Sequence, residues 1–178
     1  MITKMLDFEI TEILSPNYDY RPFGTIIDLV VIHAISLPPG KFGSGRVQDF
    51  FTNVLDFDEH PYFSGLKELK VSAHYFIERS GRIIRFVADK HRAWHAGVSS
   101  FSGRDNCNDF SLGIELEGDD FTPFTENQYI NLGTLLAELK FRYPAITDRR
   151  IVGHCHIAPQ RKSDPGPFFD WLRVGGGP

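Results

Sequence analysis

Between positions 26 and 36 the chain reads IIDLVVIHAIS, and its apolar run Leu29 to Ile32 predicts a strand buried on both faces. His33 follows at once. The next stretch, LPPGKFGSG (37–45), can continue neither strand nor helix. Val47, Phe50, Phe51, Val54 and Leu55 then fall at i, i+3, i+4, i+7 and i+8, the stripe of an amphipathic helix. VSAHYFIERSGRIIRFVA (71–88) holds two β-rich runs joined at RSGR and predicts a hairpin.

FSLGIELEG (110–118) alternates strictly. Phe110, Leu112, Ile114 and Leu116 point one way, and Ser111, Gly113, Glu115 and Glu117 the other. A helix is expected from about 126 to 142, opened by a capping box of Thr125 and Gln128 and ended by Tyr143-Pro144. RRIVGHCH (149–156) reads as a last short strand and PFFDWLRV (167–174) as a closing helix. The order β, α, ββ, β, α, β predicts an α/β (mixed α+β) fold, a central mixed sheet flanked by helices.

At 178 residues the chain is the size of one domain, and no repeat or linker divides residues 1–178. It is 42% hydrophobic with sixteen Phe, enough for a true core, which argues against disorder. The net charge of −4 and scattered Lys and Arg argue against nucleic acid or an anionic membrane as partner. The longest apolar runs, of four residues, are too short to span a bilayer. The N-terminus places Asp7, Glu9 and Glu12 where a signal peptide needs an apolar core. Cys107 and Cys155 are too few for a disulfide framework, so a cytoplasmic protein is expected. Nothing in the pattern sets an oligomeric state.

Chemistry concentrates in VGHCHIAPQRKSDPGP (152–167). Of the seven histidines, His33 and His154 each end a predicted strand just before a proline-bearing loop, where sheet folds place their sites. A catalytic zinc site takes three protein ligands and leaves one position open. Asp164, ten residues after His154 in SDPGP, can return on a rigid loop as the third ligand.

Alternatives stand beside this set. On a strand, His154 and His156 share a face, so both can ligate, or His156 can support. Cys155 then points away and packs. His91 and His95 in KHRAWHAG read as part of a loop lining a pocket. Glu115, beside Ser111 and Gly113, can take a proton from an attacking water, although a solvated strand residue explains it equally. Lys162 reaches the same place on the Asp164 loop, as an oxyanion's partner or as a surface lysine.

Together these residues resemble the zinc N-acetylmuramoyl-L-alanine amidases of the AmpD type, a group related to peptidoglycan-recognition proteins and a phage lysozyme. The resemblance runs through SPNYDYRP, LVVIHAISLPPGKFG, HPYF, VSAHYFIERSGRI, RAWHAGVSSFSGRDNCNDFSLGIELEG, YPAI and GHCHIAPQRKSDPGPFFDW. It implies a single zinc amidase domain over residues 1–178, with one Zn²⁺ per chain bound by His33, His154 and Asp164. It also implies that Glu115 activates the attacking water, that Lys162 stabilises the oxyanion, and that Trp94, His95, Asn108 and Arg161 line a muropeptide groove. His156 becomes supporting and Cys155 packing.

The implied reaction is hydrolysis of the amide between N-acetylmuramic acid, in its 1,6-anhydro or ordinary form, and L-alanine of muropeptides, in cell-wall recycling. A non-catalytic muropeptide-binding module of the same fold is the alternative, and the complete set of ligands with Glu115 and Lys162 argues against it. One position departs from the family's usual HNIS. The chain has HAIS, and Ala34 lacks the hydrogen bonds that an Asn amide offers.

Overall fold

The computed structural model describes residues 9 to 177. Part of the signal-peptide argument, Asp7 included, falls outside the described residues. The strands are β1 (Ile10–Glu12), β2 (Tyr18–Tyr20), β3 (Leu29–Ile35), β4 (Tyr75–Ile77), β5 (Ile83–Arg85), β6 (His91–Ala93), β7 (Ser100–Phe101), β8 (Arg104–Asp105), β9 (Ser111–Glu117) and β10 (Ile151–Gly153). The helices are α1 (Arg46–Phe51), α2 (Glu126–Arg142) and α3 (His154–Ile157).

A six-stranded sheet in the order β1-β5-β4-β9-β3-β10 forms the centre. Its β4–β5 hairpin is antiparallel and every other pair is parallel, so the expected mixed sheet is present. β2 with β6, and β7 with β8, make two small antiparallel ribbons. These short strands carry too few residues for a period to show in sequence.

Alternation within β3 sorts its residues between two cores. Val30 and Ile32 join Leu112, Ile114 and Leu116 of β9 beneath α2, which contributes Leu132, Leu135, Leu136 and Leu139. Leu29 and Val31 turn the other way, onto Phe110, Val152 and Ile157. A separate cluster on α1 packs Phe50 and Phe51 with Phe76, Ile84 and Phe86. At about 1.5–3 kcal/mol for each large side chain removed from water, burial on both faces pins β3 and β9. All seven residues of β9 are buried, so its polar side faces the interior rather than solvent.

Helix α2 begins as the sequence predicts. Thr125 Oγ1 accepts from Gln128 N–H at 3.2 Å, and Gln128 Oε1 accepts from Thr125 N–H at 3.0 Å. Gln128 Nε2 donates onward to Ile77 O and Glu117 O, tying the helix start to β4 and β9. Three predicted boundaries shift. α1 ends at Phe51 because Asn53 takes a left-handed backbone (φ 62°), leaving Val54 exposed. The closing helix reduces to a 3₁₀ turn at Trp171–Arg173.

The third shift bears on the site. β10 stops at Gly153, and His154, Cys155 and His156 lie on the helical turn α3. Gly153 N–H donates to His156 Nδ1 at 2.9 Å and Cys155 N–H to Asp164 O at 2.9 Å. His156 therefore caps its own turn and packs its ring 5.4 Å from that of Trp171. The shared strand face expected for His154 and His156 does not exist.

Removing the α2 cap should lower stability by about 1 kcal/mol. Denaturant unfolding of Thr125→Ala measures this, and a midpoint equal to wild type contradicts it.

Candidate active site

Parallel pairing sets two side chains level with each other. His33 of β3 lies opposite Glu115 of β9, and both point to the face away from α2. Gly153 pairs with Ile32, so the next residue, His154, arrives beside His33. A Cβ on Gly153 would lie 2.7 Å from Pro165 Cδ. Glycine there allows the Asp164 loop to close over the strand end, where Cys155 N–H holds it.

Three donor atoms then converge. His33 Nδ1 lies 3.0 Å from His154 Nδ1 and 3.0 Å from Asp164 Oδ2, and His154 Nδ1 lies 3.1 Å from Asp164 Oδ2. The far nitrogen of His154, Nε2, is 3.0 Å from Ala96 O. A carbonyl only accepts, so Nε2 carries the proton and a neutral His154 turns a lone pair inward. Tetrahedral zinc ligation at about 2.0–2.2 Å sets ligand atoms about 3.3 Å apart. This triangle needs to spread by only a few tenths of an ångström, and its two imidazoles and carboxylate suit zinc in kind. The cluster can hold a metal ion.

Beside it, Glu115 is 8% exposed, and its Oε2 is buried without a hydrogen-bond partner. Burial, and then the neighbouring negative charge of Asp164, push this carboxyl well above the usual range, with Lys162 pulling the other way. Lys162 follows a tight turn in which Ala158 O accepts from both Arg161 N–H and Lys162 N–H. Its side chain is exposed on the wall of a cleft of about 530 Å³ that also contains His33, Glu115, His154 and Asp164. That volume suits a small-molecule site.

Residues 23–167 match the family described as N-acetylmuramoyl-L-alanine amidase. The chain belongs to this family. It is 54% identical over 172 residues to the 1,6-anhydro-N-acetylmuramyl-L-alanine amidase AmpD of Haemophilus influenzae, spanning 97% of this chain and 94% of that one. A crystal structure of a Se-Met AmpD derivative superposes with a TM-score of 0.91 at 51% identity, covering 93% of this chain and 92% of the other. AmiD from E. coli, solved with the substrate anhydro-N-acetylmuramic acid-L-Ala-D-gamma-Glu-L-Lys, gives a TM-score of 0.63 at 30% identity. That match covers 89% of this chain and 62% of AmiD.

In this amidase Trp94 lines the cleft, held by paired bonds between its backbone and Ser72. Arg161 also reaches the cleft wall, donating from Nη2 to Ala96 O and Val98 O. Asn108 sits behind the wall, where its Oδ1 accepts from His95 N–H and Ala96 N–H at 3.1 and 2.8 Å. His95 is buried against His33, with His95 Nδ1 2.9 Å from His33 Nε2. Ala34 lies on the cleft floor. Tyr62, Leu69 and Phe121 stand exposed on the rim; their only mark in the sequence is an apolar residue in a polar loop. Among the described residues no helix is long and apolar enough to cross a membrane.

Burial pushes the His33 imidazole down to about 4, its bond to Asp164 recovering only part. His74, behind His95, falls to about 3 through burial and the nearby Arg21 guanidinium. The unfolded chain takes protons below pH 6.5 that folded His33 and His74 refuse, so stability falls as the pH is lowered. Each removes about 2 kcal/mol between pH 7 and pH 5; His95, which burial also holds well below its ordinary value, acts in the same direction, and Glu115, held upward by burial, acts in the opposite one. Denaturation of metal-free protein should show lower stability at pH 5 than at pH 7, because three imidazoles act against one carboxyl; equal or greater stability at pH 5 contradicts the assignment.

Proposed function

We propose that this amidase hydrolyses the amide joining 1,6-anhydro-N-acetylmuramic acid to L-alanine in muropeptides, as a zinc enzyme of cell-wall recycling in the cytoplasm. The reading takes the whole chain as one amidase domain. The observation that carries it is the convergence of three ligand atoms, with a buried unpartnered carboxylate and a lysine on the same cleft. The relatives' names support the substrate, as does the muropeptide seated in AmiD.

His33, His154 and Asp164 would hold one Zn²⁺, which when bound supplies a Lewis acid that polarises the scissile carbonyl and makes water a nucleophile near neutral pH. Glu115 accepts the proton of the attacking water and returns it to the leaving L-alanine amine. A carboxyl held above its usual range by burial is suited to return that proton. Its Oε2, buried and without a hydrogen-bond partner, keeps an acceptor site open. Lys162 places an ammonium where the tetrahedral oxyanion gathers charge. Trp94 and Arg161 shape the wall against which sugar and peptide are oriented.

Glu115→Gln should lower kcat on anhydro-muropeptides by about 10²–10⁴-fold while zinc content by atomic absorption stays at one per chain. Loss of zinc would instead make Glu115 a ligand. Asp164→Ala should lose the metal; zinc retained at wild-type stoichiometry removes Asp164 from the ligand set.

A further inference from the structure

Ser111, on the same face of β9 as Glu115, has its Oγ 2.6 Å from Cys107 O and 3.2 Å from His95 Nε2. A hydroxyl has one proton and the carbonyl can only accept, so that proton goes to Cys107. Ser111 Oγ must then accept from His95 Nε2–H. A neutral imidazole protonated at Nε2 bears a lone pair on Nδ1, and His95 Nδ1 lies 2.9 Å from His33 Nε2. It accepts His33 Nε2–H, which leaves His33 Nδ1 bare on the side of His154 and Asp164.

Every hydrogen bond in this series has one direction, fixed at its far end by a backbone carbonyl. We infer that His95, aligned by Ser111, is a positioning residue that keeps the His33 proton on Nε2 and so presents Nδ1 to the metal. The inference rests on the metal reading above and adds to it the group that sets the ligand's tautomer. Metal-bound histidines generally donate their second N–H to a carboxylate, carbonyl or water. Here a second imidazole takes that place, and its own orientation has to be set in turn.

The surroundings are built for this. Gly113 carries no side chain under the His95 ring, and a Cβ there would lie 2.4 Å from His95 Cγ. Asn108 Oδ1 clamps the backbone N–H groups of His95 and Ala96 together. Ala96 O in turn receives His154 Nε2–H. One clamped dipeptide therefore orients both ligand imidazoles, His33 through a side chain and His154 through a carbonyl.

The test compares zinc affinity of holo-protein, by competition with a chelating dye, in wild type, His95→Leu, His95→Asn and Ser111→Ala, with circular dichroism to establish folding. Leu fills the space without an acceptor, whereas Asn can offer an oxygen near the Nδ1 position. His95→Leu should bind zinc about 10–100-fold more weakly and His95→Asn should recover most of that loss. Ser111→Ala, which removes one oxygen, should weaken binding several-fold and serves where His95→Leu does not fold. Equal affinities in the Leu and Asn variants, or unchanged affinity in Ser111→Ala, overturn the inference while leaving the metal reading in place. A wild-type protein that takes up no zinc overturns the metal reading itself, and the inference with it.

Discussion

His33 Nδ1, His154 Nδ1 and Asp164 Oδ2 lie within 3.1 Å of one another, and the hydrogen bonds behind the two rings leave lone pairs facing lone pairs. Such a cluster is unfavourable unless a cation joins it, because buried acceptors without a donor forfeit their hydration. The rest of the architecture holds these atoms together against that penalty. Seven paired residues join β3 to β9, both strands are buried on both faces, and the Asp164 loop is fastened to α3 through Cys155 N–H.

The same constraint explains the chemistry around the triangle. Glu115 is buried beside Asp164, so its carboxyl moves upward and its Oε2 has no hydrogen-bond partner. Lys162 remains exposed on the cleft wall, an ammonium on a long side chain that can reach toward an otherwise acidic site. A buried carboxyl and a positive charge thus share one cleft with the three converging atoms, the arrangement that the proposed amide hydrolysis calls for.

Much of this is legible in the sequence because the signals are local. Leu29 to Ile32 announce a doubly buried strand that leads into His33, although the strand does not end there but runs on to Ile35, and Thr125 with Gln128 mark a helix start. The alternation over 110–118 puts Glu115 on the face away from Ile114 and Leu116, which pack beneath α2. What escapes depends on distant partners. The strand expected through His156 ends at Gly153 because Asp164 and His156 capture its backbone donors. Ser111 and Gly113 suggest open space above the strand, yet the ring of His95 fills it. Gly113 within an otherwise regular strand is the available hint of that close approach.

Anomalous diffraction at the zinc edge from crystals of the holo-protein tests the central claim most directly. One peak per chain is predicted at about 2.0–2.2 Å from His33 Nδ1, His154 Nδ1 and an Asp164 oxygen. A peak bound elsewhere, or no peak in crystals of zinc-supplemented active protein, would contradict it.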